Sequence, residues 1–590
     1  MAIRLSLKNM HWELAPIAPV SDIEALATST HISTFMARLL YGRGFRTATA
    51  IQDFLACRDP HHDALLMHDM RAAAQRIITA IHEQEAIAVY GDFDADGITA
   101  TSLICDAFRQ LGANIAPYIP HRTTEGYGLN HEAMHRLAQS GVKLLVTVDC
   151  GISNVSEVAL ARELGMDVII TDHHAPPEQL PIATAVVNPK LPDCPYPDKG
   201  LVGVGIAYKL IEAIGQLGMP LTNDQMTNLL DLVALGTVAD LGPLQGENRS
   251  LVARGLTVLA QSQRPGIRAL IAVAGITPAA LKADDIGFKL GPRINAAGRL
   301  DDAVPAYELL LTDDFLEAQA KAKHLNETNI ERQHQTKLLQ ERVAAALTLQ
   351  QTNAASLDRI IVHADPDAHA GLVGLAAARI ADQFARPAII IERGEPHSRG
   401  SARSGGMINM VEALRRCGAP FIKMGGHAAA AGFTIESSNI DMLRQLLNEY
   451  AEAQQVEVGV RTLHIDCEVS AEAVTIDLVN ELTQLEPCGH SNHAPVLLAR
   501  NCRVISAQPM GSDNKHLRLK LDLAGRVITA IAWGEGEHAQ NFTRIPAVDI
   551  VFHPQRNEWN GRIEVQLILH DLRSARPRDA APHAPVSLLD

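Results

Sequence analysis

Three short apolar, β-branched runs end at glycine or aspartate: Ala-Ile-Ala-Val-Tyr before Gly91, Leu-Leu-Val-Thr-Val before Asp149, and Asp-Val-Ile-Ile-Thr before Asp172. Helix-like stretches separate them. Strands alternating with helices predict a parallel sheet covered on both faces. Ligands of such sheets bind beyond the carboxyl ends of the strands, where all three acidic clusters fall. The chain has 590 residues, 47% hydrophobic and 20% charged, a globular balance that disfavours disorder and allows about four domains. Its net charge of -15 argues against a polycation that grips nucleic acid by bulk charge, so any such site must be a local basic channel.

Eight scattered cysteines, Cys57, Cys105, Cys150 and Cys194 among them, form no C-x-x-C pair, which disfavours a zinc ribbon and fits a reducing cytosol. The N-terminal residues lack an export pattern. No run of about 18 uncharged apolar residues occurs, so the expectation is a soluble, cytoplasmic protein with no membrane association. Beyond Leu311 the chain continues without Gly or Pro to about Gln351, with apolar residues at helical spacing, and predicts a long connecting helix. A second α/β unit follows, with strands from Arg359 and Ala388 and a Gly- and Ala-rich helix from Gly371. From about Arg461, alternating segments such as His516-Leu-Arg-Leu-Lys-Leu-Asp-Leu predict half-buried strands of a small barrel.

The densest chemical signal is Asp92-Phe-Asp-Ala-Asp-Gly97. Asp94 and Asp96 repel each other unless a cation lies between them, and oxygen-rich sites suit hard ions such as Mg²⁺ and Mn²⁺. The alternative is an acidic turn that caps the following helix. Asp149, the Asp172-His173-His174 run and Asp240 add donors at further strand or helix ends, which favours a metal centre. Asp240 also fits an ordinary loop position.

The ordered series Asp92-x-Asp-x-Asp-Gly97, Thr147-Val-Asp-x-Gly151, Asp172-His-His174 and Ala239-Asp-x-x-Pro-Leu244 resembles the DHH phosphoesterase superfamily. The continuation through Leu180-Pro181, Val187-Asn-Pro189, Cys194-Pro-Tyr-Pro197 and Gly203-Val-Gly-Ile-Ala-Tyr-Lys-Leu210 resembles its RecJ family of single-strand-specific 5′-to-3′ DNA exonucleases, from about Ala86 to about His570. The fold implied is α/β and multidomain: a parallel-sheet DHH domain and a DHH-associated α/β domain joined by a long helix, plus a C-terminal OB-fold barrel. The implied divisions are an N-terminal helical region (1–70), the DHH catalytic domain (71–265), a linking region with the long helix (266–352), the DHH-associated substrate-binding domain (353–455), the OB-fold (460–573) and a flexible tail (574–590). A ring-like arrangement around a single-strand channel is also implied.

By this resemblance Asp94 and Asp96 each hold one of two Mn²⁺ or Mg²⁺ ions, Asp149 bridges them, and His173 and Asp240 complete the set. Asp92 is a ligand or an acceptor behind the ligands, and His174 lies beside the metals or orients the scissile phosphate. The catalytic group is therefore Asp149, His173 and His174. Some relatives of this family place a histidine where this chain has Tyr90, which implies one ligand fewer and a more weakly held metal. Arg293, Asn295, Arg299, His369, Ser401, Arg403, Gly426 and His427 are the implied substrate contacts, with Ser401 and Arg403 on a 5′ phosphate. Ala368 stands where the family places tryptophan, so an aromatic contact is lost there.

In the barrel, Lys515, His516, Arg518, Lys520, Trp533 and Arg556 are candidate strand contacts, although the apolar run around Trp533 reads as core. The resemblance implies a monomer that acts on single-stranded DNA with a 5′ end, in recombination and repair, with a single-strand-binding protein and a helicase as partners. Two other functions fit parts of the sequence. A phosphodiesterase of short oligonucleotides or cyclic dinucleotides would not need the barrel, and a silent DNA-binding scaffold would not need the retained acids.

Overall fold

The computed structural model describes residues 6–58, 61–122, 124–353, 358–511, 513–559 and 561–575. Of the tail expected at 574–590, only 574 and 575 lie within the described residues. The chain forms two compact units: residues 57–459 with 487–492, and residues 1–56, 460–486 and 493–590.

The larger unit is built on a five-stranded, wholly parallel sheet. Its order is Ile115–Tyr118, Ile87–Gly91, Leu144–Val148, Asp167–Thr171, Ala185–Val187. Both faces of Ile87–Gly91 and Leu144–Val148 are buried, which explains why these segments are continuous apolar runs rather than alternating ones. Ile87–Gly91, the first strand of this sheet in chain order, lies between the second and third, so the order reverses there, and the carboxyl ends at such a point form a crevice. Helices Ala95–Gln110, Gly203–Gln216 and Leu230–Ala239 pack together. Nearly every residue of Leu230–Ala239 is buried, as expected for a helix apolar on all sides.

A second, mixed sheet runs Phe421–Gly426, Ala430–Glu436, His397–Arg403, Ala388–Glu392, Ile361–Asp365, and only the last two are parallel to each other. The predicted long helix is Phe315–Asn353, 39 residues, about 58 Å long. Leu325 belongs to the core under the parallel sheet, while Leu339, Val343 and Leu347 belong to the core under the mixed sheet. One helix therefore fills both cores and joins the lobes, as expected. Between these apolar ends it buries Asn329, Arg332 and Thr336.

In the smaller unit, five strands close into a barrel: Leu497–Met510, His516–Leu523, Arg526–Ala532, Arg562–Ser574 and Ala547–Trp559, the last pairing back to the first. Leu517, Leu519, Leu521 and Leu523 point inward, and Arg518 and Lys520 outward, the expected period of two. Strand Met10–Leu14 pairs in parallel with Arg461–Ile465. Its Trp12 donates to Asp571 (2.7 Å) and lies 4.1 Å beneath the Arg573 guanidinium. Trp533 corrects the core expectation: it follows the end of strand Arg526–Ala532, where alternation no longer buries it, and is 51% exposed, edge-on to His516.

Candidate metal centre and phosphate pocket

The ends of three parallel strands and one helix deliver the acids. Asp92 and Asp94 follow Ile87–Gly91. Asp94 caps helix Ala95–Gln110, its Oδ1 accepting from the Asp96 (3.0 Å) and Gly97 (3.1 Å) amides. The capping and metal readings of this turn thus hold together, because a carboxylate that caps with one oxygen leaves the other free. Asp96 is buried and accepts from the Gly203 (2.7 Å) and Val204 (2.8 Å) amides, so the N-terminus of helix Gly203–Gln216 holds it. Asp149 follows Leu144–Val148 with φ at +59°, a left-handed conformation that costs a non-glycine residue energy and marks functional sites. Asp240 is the residue that ends helix Leu230–Ala239.

Three groups have donor atoms within 4.8 Å of one another: Asp92, Asp94 and Asp149; Asp96, His173 and Asp240; and Asp149, His173 and His174. Every predicted ligand is in at least one of them, Asp92 included. The buried atoms Asp92 Oδ1, Asp149 Oδ1 and His173 Nε2 make no hydrogen bond. Burial holds the Asp92 and Asp149 carboxyls far above the usual range, reinforced by Asp94 at the first and by Asp96 at the second. Burial and then Asp94 raise Asp96 to about 7, and burial and then Asp96 raise Asp240 to about 9. Burial, with His174 beside it, lowers His173 to about 3, so its imidazole is neutral, as a ligand must be. Such mutual repulsion with unused donors is what divalent cations relieve, so these residues fit a hard-metal centre.

Asp172 is different. Its Oδ2 accepts from the Ile152 amide (3.0 Å), and its Oδ1 faces His174 Nδ1 (2.7 Å). Burial opposes charge on His174, but this contact prevails and raises its pKa. The Tyr127 hydroxyl lies 3.2 Å from the same His174 nitrogen. Tyr90 donates to Gly128 O (2.9 Å) and stacks on Tyr118. It anchors the loop that carries Tyr127.

The predicted phosphate contacts separate. Arg299 lies among Arg122, Arg332 and Arg403, and burial with this repulsion lowers it to about 9. Arg403 donates to Ser401 Oγ (3.0 Å) and to Ala402 O (2.8 Å). A Cβ on Gly374 would stand 2.9 Å from the Arg403 guanidinium, so this glycine leaves the group its space. Arg293 instead binds Asn326 on the long helix (3.0 Å) and Lys289 O. Asn295 accepts from the Ala95 amide (2.9 Å) and braces the acidic turn. His369 caps helix Ala370–Phe384 through the Gly371 amide (3.1 Å), and Ala368 is buried beside it. Gly426 turns the hairpin at φ +142°, and His427 is exposed at its tip. Burial lowers the His427 pKa, and Arg403, His174 and Lys190 act in the same direction.

Sequence reasoning missed Arg122, Tyr127, Asp172 as the partner of His174, and Lys190. Arg122 lies 4.8 Å over the Phe93 ring, and Asp92 and Asp94 act on it electrostatically. Arg122 and Tyr127 occupy the connection after strand Ile115–Tyr118, at the same carboxyl edge that exposed the acids. The strand-end rule applied to that edge would have found them.

A parallel sheet with these acids and a paired histidine at its strand ends, joined to a mixed-sheet lobe, defines a DHH phosphoesterase. Sequence models of the DHH family, N-terminal domain, match residues 86–237, of the DHHA1 domain 357–453, and of the RecJ OB domain 465–571. The single-stranded-DNA-specific exonuclease RecJ of Bacillus subtilis is 36% identical over 568 residues, 95% of this chain and 71% of that protein. Crystal structures of Thermus thermophilus RecJ with Mn²⁺ and with Mg²⁺ superpose with TM-scores of 0.82 and 0.76 at 31% and 30% identity. They cover 96% of this chain in both cases, and 80% and 79% of those chains. The chain belongs to the RecJ family of single-stranded-DNA-specific, metal-dependent exonucleases. No helix among the described residues is long and apolar enough to cross a membrane.

Proposed function

We propose that this chain degrades single-stranded DNA from its 5′ end and releases 5′ mononucleotides at a two-metal centre, in recombination and repair. The observation that carries the polarity is the arginine group Arg122, Arg299 and Arg403 beside the acidic cluster. Guanidiniums crowded together, enclosed and unpaired with carboxylates suit a ligand with more than one negative charge, and a terminal phosphate carries two where an internal one carries one. Anchoring that end a fixed distance from the acids sets the length of the released product.

Asp92, Asp94 and Asp149 would hold one ion, and Asp96, His173 and Asp240 the other, with Asp149 close to both. Two such cations supply an activated water near neutral pH and neutralise charge on the attacked phosphate and leaving oxygen. Asp172 fixes the His174 ring and favours its protonated form, which suits it to hold a non-bridging oxygen of the scissile phosphate. Tyr127, edge-on to Phe93 and His174, is placed to contact the first base. In the barrel, exposed Arg518, Lys520 and Trp533 offer charge and an aromatic face to single-stranded DNA.

The same reading makes the chain a cytoplasmic monomer, consistent with eight cysteines that form no C-x-x-C pair, supplied with substrate by a helicase and a single-strand-binding protein. Its test is digestion of 5′-phosphorylated single strands, labelled at one end or the other, with Mn²⁺, with Mg²⁺ and with chelator. A 5′ label should appear at once as mononucleotide, and a 3′ label in progressively shorter strands. Equal attack from both ends, or activity in chelator, refutes the proposal.

A further inference from the structure

We infer that Lys190 is a charge-stabilising residue of the cleavage step, its ammonium contacting the scissile phosphate beside the metal-binding acids. The inference rests on the exonuclease reading above and adds a contact that neither the acidic motifs nor the arginine pocket contains. Its basis is the way the chain holds Lys190. Edge strand Ala185–Val187 ends at Asn188, which is fully buried. The Asn188 amide donates to His174 O (2.9 Å), and its Oδ1 accepts from the Lys190 amide (2.8 Å). One buried side chain therefore ties the Lys190 backbone to the Asp172-His173-His174 loop. Two polar bonds in a dry position fix that link more firmly than an exposed turn would.

The side chain is exposed, and no carboxylate among the described residues lies within ion-pairing distance of its ammonium. This is notable beside so many acids. Asp240 and Asp172 are the charges that act on it, and they oppose the lowering of its pKa by partial desolvation. Asp172 already has His174 and the Ile152 amide, and Asp240 belongs to a candidate metal group. Once cations occupy the acids, no protein anion remains to offset the ammonium. The His427 hairpin tip of the other lobe lies within electrostatic reach of Lys190. A compact ammonium on a flexible stem suits a charge that develops on a phosphoryl oxygen.

The test compares wild type, Lys190→Gln and Lys190→Arg on a 5′-phosphorylated single strand at saturating Mn²⁺, with Mn²⁺ affinity measured separately by calorimetry. Lys190→Gln should lower kcat at least about 10-fold, the low end for loss of a transition-state donor. Its KM should stay within about threefold and its Mn²⁺ affinity should not weaken. Lys190→Arg should keep kcat within about threefold of wild type. Thermal melting checks folding, which an exposed and unpaired side chain does not support. Unchanged kcat in Lys190→Gln, a loss confined to KM, or a loss that more Mn²⁺ restores each overturn the inference. A wild type without metal-dependent activity would instead refute the exonuclease reading.

Discussion

His173 Nε2 lies 3.0 Å from Asp149 Oδ1, and neither atom has a hydrogen bond. Each unpaired buried polar atom costs roughly 1–3 kcal/mol, a cost that a cation between or beside the two would relieve. Mn²⁺ should therefore raise the melting temperature by several degrees. A cation at 100 times its dissociation constant contributes about 2.7 kcal/mol. Asp149→Asn should lose this rise and at least about 10³-fold in activity, while melting no lower than wild type without metal. A metal-free variant that melts far below wild type would show Asp149 to be a structural residue.

The same crowding gives a pH dependence. The folded-state pKa values of Asp96 (about 7) and Asp240 (about 9) lie above the ordinary carboxylate value, about 3.9 in an unfolded chain. The folded chain thus holds protons that the unfolded chain has released, and metal-free stability should fall as pH rises from about 4 towards 9. Denaturant unfolding in chelator at pH 5, 7 and 9 measures this. Asp96→Asn with Asp240→Asn should make the fall less steep without abolishing it, because Asp92 and Asp149 are raised as well. An equally steep slope in that double variant would place its origin elsewhere.

Gly203 makes the packing around Asp149 testable. A Cβ there would lie 2.6 Å from Asp149 Cβ and 2.9 Å from its Oδ1, while the Gly203 amide must still reach Asp96. Gly203→Ala should displace both carboxylates and weaken Mn²⁺ binding about 10-fold or more, with the circular dichroism spectrum unchanged. Gly42→Ala, where the added carbon meets nothing within 4 Å, is the control and should bind Mn²⁺ as wild type does.

Most of the acidic site was legible because parallel strands place their carboxyl ends together, whatever the distance along the chain. Asp92, Asp94, Asp149 and His173 follow three such ends. The reason for Gly203 was not legible, because it depends on a helix N-terminus meeting Asp96 across the domain. Arg293 and Arg299, six residues apart in one motif, could not be ranked until the helix Gly291–Leu300 turned one toward Asn326 and the other toward Arg403. Lys190 carries no pattern at all: its position comes from the buried Asn188.

Trp533 failed for a simpler reason, since an apolar run predicts burial only while its strand lasts. Being exposed, it should be nearly neutral for folding: Trp533→Ala should shift the unfolding free energy by less than about 1 kcal/mol. Its affinity for a long single strand should fall by roughly 1–3 kcal/mol, the value of one stacked base. Unchanged affinity measured by fluorescence anisotropy would take Trp533 out of the strand path.

Arg122 lies where the acidic cluster and the arginine group meet, so it separates end recognition from cleavage. Its position over Phe93 fixes the guanidinium plane without an ion pair among the described residues, leaving its donors for phosphate. Arg122→Gln should lose the preference for a 5′ phosphate over a 5′ hydroxyl. A charge-assisted hydrogen bond is worth roughly 1.5–3 kcal/mol, or about 10- to 100-fold in the kcat/KM ratio of the two substrates. On the 5′-hydroxyl strand alone the variant should stay close to wild type, because that end has no charge for the arginine to meet. Equal losses on both substrates would show that Arg122 acts on the metal centre through Asp92 and Asp94, and the terminal-phosphate role would then fall to Arg299 and Arg403.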